Sequence, residues 1–307
     1  MLANMQAIPQ ASYGAEINQF HSRLLRVSLA LEESRAYWEQ MTLETAKLSR
    51  SKQAEIAFER RWFGSKSLAR VQRLLGEFGH RYEAYPAALD VLLTWQPNDL
   101  ATRRNICHWH LQLADPMYRA FSDAFLEQRR SRPDAQIDRD IVARWVSQNL
   151  PVEWASATVL RMATALITCA SAAGLCDRTS GNKTGTKTLT YPKVTDAALA
   201  YWLYFLRGLR FEGTMLSNPY LSSVGLSDVF LEQRLRQLPG IGFSRMAELH
   251  EFDWQYADIR QWAAGELDLE GLTLSTATES AATERTATES AATERKPTQK
   301  AVKEVGR

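Results

Sequence analysis

The sequence predicts a mostly α-helical fold with a small β-hairpin: a multi-helical body containing a winged helix-turn-helix-like unit, followed by a disordered C-terminal tail. Three observations predict it. Apolar residues recur at three- and four-residue steps along most of the chain, the spacing of one helix face. One stretch breaks that rhythm, where the polar tip SGNKTG is followed by TKTLTY, rich in β-favouring threonine. The decapeptide TATESAATER then occurs twice in succession from Thr276, with no large apolar residue in either copy. Such a segment cannot bury enough surface to offset the entropy of ordering.

In chain order, Ile17, Phe20, Leu24, Val27 and Leu31 predict a first helix. Ala54, Phe58, Trp62 and Phe63 begin a second, interrupted at Gly64-Ser65 and resumed by Leu68, Val71, Leu74, Leu75 and Phe78. Leu89, Leu92 and Leu93 follow Pro86 as a short helix that Pro97 ends. Asp99 or Asn98 caps the next, which buries Ile106, Trp109 and Leu113 before Pro116. Nothing between Ala15 and Gln112 alternates with period two, so residues 1–113 read as an N-terminal helical domain.

Residues 114–193 are organised differently. A helix with Met117, Phe121, Phe125 and Leu126 ends in RRSRPDAQ. Ile137–Gln148 predicts a short helix with Ile141, Val142 and Trp145 on one face, stopped by Asn149-Leu150-Pro151. Ser156 or Thr158 opens a long helix bearing Val159, Leu160, Ala163, Leu166, Ile167 and Ala170, closed at Gly174. The hairpin over Leu175–Tyr191 comes next. Helix, turn, longer helix and hairpin are the order of a winged helix-turn-helix. In such a unit the N-terminal end of the second helix enters the major groove, with short polar side chains at base edges and backbone amides at phosphate. That end offers Ser156, Thr158 and Arg161, with Thr164 and Thr168 further along, and the hairpin offers Arg178, Lys183 and Lys187. The order alone does not fix function, because winged helices also serve as protein-docking modules.

Beyond Pro192, Asp196 caps a helix with Leu199, Leu203, Leu206 and the aromatic Tyr201, Trp202, Tyr204 and Phe205. SNPYLSSVGLS reads as a structured loop, and Ser227 begins a helix through Val229, Leu231 and Leu235 that ends at Pro239-Gly240. Ile241–Ala264, with Phe252, Trp254, Tyr256, Ile259 and Trp262, completes an aromatic-rich helical subdomain over residues 194–270, its rings expected in the core. Residues 271–307 are the tail.

The net charge of +2 is too small to announce a nucleic-acid binder, but its distribution is uneven. Between Lys47 and Arg73 stand eight basic residues against two acidic ones, Glu55 and Glu59. A local cluster of that kind attracts phosphate in an otherwise balanced protein, which makes Arg60, Arg61, Lys66, Arg70 and Arg73 candidate DNA contacts. Glu55 and Glu59 are expected to pair with neighbouring cations at helical spacing. Three cysteines, Cys107, Cys169 and Cys176, at unrelated spacings point to a reducing, cytoplasmic compartment rather than a disulfide framework. The N-terminus lacks the pattern of a secretory signal. Trp154–Cys176 is long and apolar, yet it carries Arg161 and several hydroxyl residues, so a packed helix is expected rather than a membrane span.

Candidate chemistry is thin. In Cys107-His108-Trp109-His110, positions 107 and 110 share a helix face while 108 points elsewhere. No CxxC, second HxH or HxxxH pair completes a tetrahedral set, so neither metal nor cofactor is expected. There is no GxSxG, P-loop, GxGxxG or HExxH. Asp134, Asp138 and Asp140 lack the strand and the acidic-x-Lys step that a restriction-type nuclease needs. The chain is expected not to be an enzyme.

The segments LEESRAYW, FERRWFGSKS, LADPMYRAF, IDRDIVARWV followed by TVLRMATALITCASAAGLC, the β return to TYP, and DAALAYWLYFL with NPYL and VGLS together resemble the BrxA family of BREX phage-defence systems. The similarity spans Ile17–Ala264. It implies a non-enzymatic, largely helical protein with helix-turn-helix architecture, in part like the antitermination factor NusB, that binds double-stranded DNA. It puts DNA contact on Ser156, Thr158, Arg161, Arg178, Lys183 and Lys187, whereas the Arg60–Arg73 patch follows from charge alone. Other BREX proteins are the implied partners, among them methyltransferase, phosphatase-like and ATPase components, and no membrane is implied. The alternative is a protein–protein scaffold in the same system, docking through the winged helix and the aromatic C-terminal segment; RNA binding is a third reading.

Overall fold

A computed structural model describes residues 15–150, 153–177, 185–246 and 249–269. They are mostly helical, with two small antiparallel sheets. The predicted first helix is absent. Between Ala15 and Ala30 the chain is extended and irregular, with one 3-10 turn at Arg23–Leu25. Leu24, Val27 and Leu29 are nonetheless buried. Of the periodic set, Leu24 and Val27 are core residues, Ile17 and Leu31 are half-buried and Phe20 is exposed; no helix forms over them, because other groups take the carbonyls a helix would use. Arg70 donates to the Arg26 oxygen and Arg81 to the Val27 and Leu29 oxygens. Ala30 then turns the chain at φ 53°.

Helices α1 (Leu31–Gln40), α2 (Leu43–Ala46), α3 (Arg50–Glu59) and α4 (Leu68–Phe78) follow, with Thr42, Ser49 and Ser67 capping the last three. The expected interruption at Gly64-Ser65 separates α3 from α4. A π-helical turn, Gly79–Glu83, continues α4 and carries Arg81 and Tyr82 into the core. Next come α5 (Pro86–Trp95) and α6 (Leu100–Ala114), the latter capped by Asp99, which accepts from the Thr102 amide at 2.7 Å.

Packed among α1, α7 (Pro116–Ala120), α10 (Ser156–Ala173) and α11 (Asp196–Leu206), α6 is buried on all sides over its last two turns. That corrects the expectation for His108, which lies in the core as fully as Cys107 and His110. A helix enclosed all round has no outward face for its polar residues, so each must find a partner inside. His108 sits 2.9 Å from both the Tyr118 hydroxyl and the Ser223 hydroxyl. His110 reaches the Arg81 carbonyl at 2.7 Å and the Tyr201 hydroxyl at 2.8 Å.

A π turn at Phe121–Phe125 joins α7 to α8 (Leu126–Arg130). Then come β1 (Gln136–Ile137), α9 (Arg139–Asn149), α10 and β2 (Lys187–Thr188). Ile137 belongs to a strand and not to the predicted helix: Asp138 is the N-cap, accepting from the Ile141 amide at 2.8 Å, so α9 begins after it. β1 pairs antiparallel with β2, Gln136 against Thr188 and Ile137 against Lys187, and Cys176 bridges Leu189 on the other edge.

After α11 the loop SNPYLSSVGLS contains a short helix, α12 (Pro219–Ser222), before α13 (Asp228–Leu235). The segment expected to complete a helical subdomain instead begins with a hairpin, β3 (Ile241–Met246) and β4 (Leu249–Trp254), with only α14 (Ile259–Glu266) helical. Ile241 opposes Trp254 and Phe243 opposes Phe252, alternating with Gly242, Ser244, Glu251 and Asp253. That period of two is a strand signal. Of the closing segment's rings expected in the core, Trp262 is buried while Phe252, Trp254 and Tyr256 are half-buried; the α11 aromatics Tyr201, Trp202, Tyr204 and Phe205 are buried, and the hydrophobic core runs continuously from Leu24 to Ala263. The tail, residues 271–307, lies outside the described residues.

Candidate nucleic-acid interface

Helices α7, α8, α9 and α10 with β1 and β2 follow the strand and helix order of a winged helix-turn-helix. Phe121 and Phe125 close on Trp145 at ring distances of 5.7 and 5.0 Å, seating α9 on the π turn between α7 and α8. The long helix α10 has two faces. Val159, Met162, Ala163, Leu166, Cys169, Ala170 and Ala173 are buried against α9, α6 and the Arg23–Leu25 turn. Ala157, Leu160, Arg161, Thr164 and Thr168 are exposed on the other side. By length and composition α10 is apolar enough to cross a membrane; here its apolar stripe is the part packed inside the fold.

The exposed side is polar apart from Ala157 and Leu160. Thr164 and Thr168 donate their hydroxyl protons to the Leu160 and Thr164 carbonyls at 2.9 and 2.7 Å, which leaves their oxygens as acceptors. Arg161 makes no hydrogen bond or ion pair among the described residues. At the helix start the N-cap is Ala155, so no side chain covers the first amides; Ser156 is the first helical residue and is exposed, and Thr158 is half-buried. Leu25, Arg139, Leu160, Arg161, Thr164 and Ala165 wall a depression of about 350 Å³ on this face. A larger one, about 790 Å³, lies between α9 and the start of α10, with Arg144, Gln148, Trp154 and Ser156 among its walls. Lys187 is half-buried on β2, while Arg178 and Lys183 lie outside the described residues.

The N-terminal cations divide into two groups. Arg60, Arg61 and Arg73 are exposed, Arg60 as the C-cap of α3 and Arg61 just beyond it at φ 52°. Lys66 is engaged with Glu33 at 3.2 Å, and Arg70 with the Arg26 carbonyl. Lys52 pairs with Glu55 at 2.9 Å, as helical spacing suggested. Arg26, Arg139 and Arg144 were absent from the predicted site. IDRDIVARWV carried the signal for the latter two; Arg26 was hidden by the helix predicted around it.

The acidic, histidine and cysteine groups singled out in the sequence act as caps, are paired or are buried. Asp134 lies 3.3 Å from Arg129, Asp138 caps α9, and Asp140 stands 3.9 Å from Arg139. Burial pushes the pKa of both His108 and His110 down to about 3, so each is neutral and fixed by its hydrogen bonds. Burial also pushes the Cys169 thiol up to about 12 and raises those of Cys107 and Cys176, the reverse of what an activated thiolate requires. Among the described residues no group of His, Cys, Asp and Glu could hold a metal ion.

No family model matches this chain, and no curated protein matches it. Among solved structures, the chain is similar to the crystal structure of an uncharacterized protein from Magnetospirillum magneticum, at 15% identity over 62% of this chain and 97% of that one, with a TM-score of 0.47.

Proposed function

We propose that this chain is a non-enzymatic double-stranded DNA-binding protein, acting in the cytoplasm as a component of a BREX-type anti-phage defence system. The observation that supports DNA binding most directly is the exposed face of α10, where Arg161 stands among Leu160, Thr164 and Thr168 with no intramolecular partner among the described residues. A helix that follows a turn and precedes a hairpin presents such a face to the major groove, with the hairpin's cations reaching backbone phosphate. The reading needs neither metal nor cofactor. The BREX assignment rests on the sequence resemblance, which also supplies the methyltransferase, phosphatase-like and ATPase proteins as partners.

A scaffold is the second reading, and a specific surface favours it. Val229 and Phe230 on α13 are 72% and 71% exposed, and Met246 and Leu249 at the end of the β3–β4 hairpin are 65% and 72% exposed. Apolar groups left in water at that level suit a protein contact. Gel shifts of the full chain with duplex DNA, single strands and RNA, across a salt titration, separate the readings. With four to six phosphate contacts, log K falls with log salt at a slope of roughly −4 to −5 on duplex. No shift at low salt overturns DNA binding and leaves the scaffold.

A further inference from the structure

Two arginines from different helices meet beside the exposed face of α10. Arg161 of α10 and Arg139 of α9 share one depression with Leu25 of the 3-10 turn. Arg26 follows Leu25 directly and is exposed. Its backbone is held from several sides. Leu24 and Val27, on either side, are 2% and 0% exposed. The Arg26 carbonyl accepts from Arg70 of α4, and the Val27 and Leu29 carbonyls accept from Arg81 at 3.0 and 3.2 Å. The backbone at Arg26 is therefore fixed, so a contact by its guanidinium orders only the side chain and not the main chain. One turn beyond Arg70 on α4, Arg73 is exposed.

The acids near this run do little to neutralise it. Asp140 is 3.9 Å from Arg139, but the two side chains are 82% and 63% exposed, so water screens the pair. Glu77 lies 3.9 Å from Arg23 and Glu33 lies against Lys66, each facing a cation outside the run. We infer that the duplex held by α10 continues past Arg139 and Arg26 onto Arg73 of α4, so that one DNA segment engages the helix-turn-helix and the N-terminal helices together. The inference rests on the DNA-binding reading of α10 and adds the path and two residues, Arg26 and Arg139, as phosphate contacts. Guanidinium groups suit that role, because their planar donors match phosphate oxygens in pairs. Arg70 is a positioning residue here, acting through the Arg26 backbone. Contacts of this kind carry no sequence preference.

The test is fluorescence anisotropy of the full chain on a labelled mixed-sequence duplex across a salt series. Arg26→Ala and Arg139→Ala are each expected to lower the salt slope by about one, and the double variant by about two, with melting temperatures unchanged. Arg26→Lys restores the slope, which a purely structural role would not predict. Arg236→Ala, an exposed arginine on the far side of the sequence at α13, leaves it unaltered. If the wild-type chain does not bind duplex at all, the DNA-binding reading fails and this inference with it. If the chain binds and Arg161→Ala weakens it while Arg26→Ala and Arg139→Ala keep the full slope, the path is wrong and the reading of α10 stands. An equal loss in Arg236→Ala also overturns the path, since the slope would then report overall charge.

Discussion

Arg81 donates from Nη2 to the Val27 carbonyl at 3.0 Å and from Nη1 to the Leu29 carbonyl at 3.2 Å, while only 1% of the arginine is exposed. Its own carbonyl accepts from His110 Nδ1 at 2.7 Å. The π turn, the extended segment before α1 and the central helix α6 thus share one buried residue. Hydrogen bonds to a charged donor contribute about 1.5–3 kcal/mol each, and cutting them strands two buried carbonyls. Arg81→Met is expected to destabilise the chain by on the order of 3 kcal/mol in urea unfolding. A loss below about 1 kcal/mol would show that the segment is held by apolar packing alone.

That same arginine explains why the start of the fold does not follow its apolar spacing. Leu24, Val27 and Leu31 have helical spacing, and the sequence offers no local sign that distant arginines will take the carbonyls of residues 26, 27 and 29. Elsewhere the signals were local and therefore legible: Asp99 as a cap, Gly174 as a left-handed stop at φ 85°, and Pro86 opening a helix. The β3–β4 hairpin carries a legible alternation, with Phe243 and Phe252 directly opposite each other, but a segment so dense in aromatics has the composition of a packed helical subdomain as well. At the candidate site, the order that puts Arg161 on α10 could be read from the sequence, whereas the packing of the Arg23–Leu25 turn against α10 could not, because it is set by tertiary contacts.

His108 and His110 make stability depend on pH. Ser223 donates its proton to the Tyr220 carbonyl, so it accepts from His108 Nε2, and Tyr118 donates to Nδ1. Both imidazoles are thus held neutral, with pKa pushed down to about 3 by burial. Unfolded histidine titrates near 6.5. Below that value the unfolded chain binds protons that the folded one refuses. The stabilisation is therefore complete above pH 6.5 and is lost progressively as pH falls towards 3. Between pH 7 and pH 5 the loss is about 2 kcal/mol per histidine. Burial raises the carboxyls of Asp115 and Asp123, which act in the opposite sense at lower pH. Comparing wild type with His108→Gln/His110→Gln by urea unfolding isolates the histidine part. The double variant is expected to be weaker at pH 7 but flatter with pH, and equal slopes would refute the assignment.

Gly225 turns the chain between α12 and α13 at φ 79°, and a Cβ there would lie 2.9 Å from two atoms of the Tyr191 ring. The ring cannot easily yield, since its hydroxyl donates to Glu127 at 2.7 Å and Arg130 covers its face at 4.1 Å. Left-handed backbone alone costs a non-glycine residue about 1–2 kcal/mol. Gly225→Ala is expected to cost on the order of 2–3 kcal/mol in thermal unfolding, with part of the loss recovered in a Tyr191→Ala background. Additive losses in the double variant would mean that the ring contact is unimportant.

Arg161 and Lys187 are expected to fail differently. Removing Lys187 takes away a charge beside the hairpin, so binding weakens alike on all duplex sequences and the salt slope drops by about one. On the proposed DNA-binding reading Arg161 sits on the face that enters the groove, and losing a guanidinium from a base edge costs about 1–3 kcal/mol and relaxes preference at one position. Binding of both variants to a library of randomised duplexes reads this directly. Identical, sequence-independent losses would move Arg161 from base contact to phosphate contact.

Arg61 offers a trade between stability and binding. It sits just past the end of α3 at φ 52°, a position where helices commonly place glycine because a Cβ is strained there. An arginine in that conformation costs about 1–2 kcal/mol, and glycine returns part of it through the freedom of the unfolded chain. Arg61→Gly is therefore expected to stabilise the fold by about 0.5–1 kcal/mol. If the duplex reaches the end of α3, the same change lowers the salt slope by about one, because one exposed cation has been removed from the phosphate track. A variant that is more stable and binds duplex as well as wild type would place the end of the track at Arg73. A variant that is less stable would show that Arg61 is held by contacts worth more than its backbone strain.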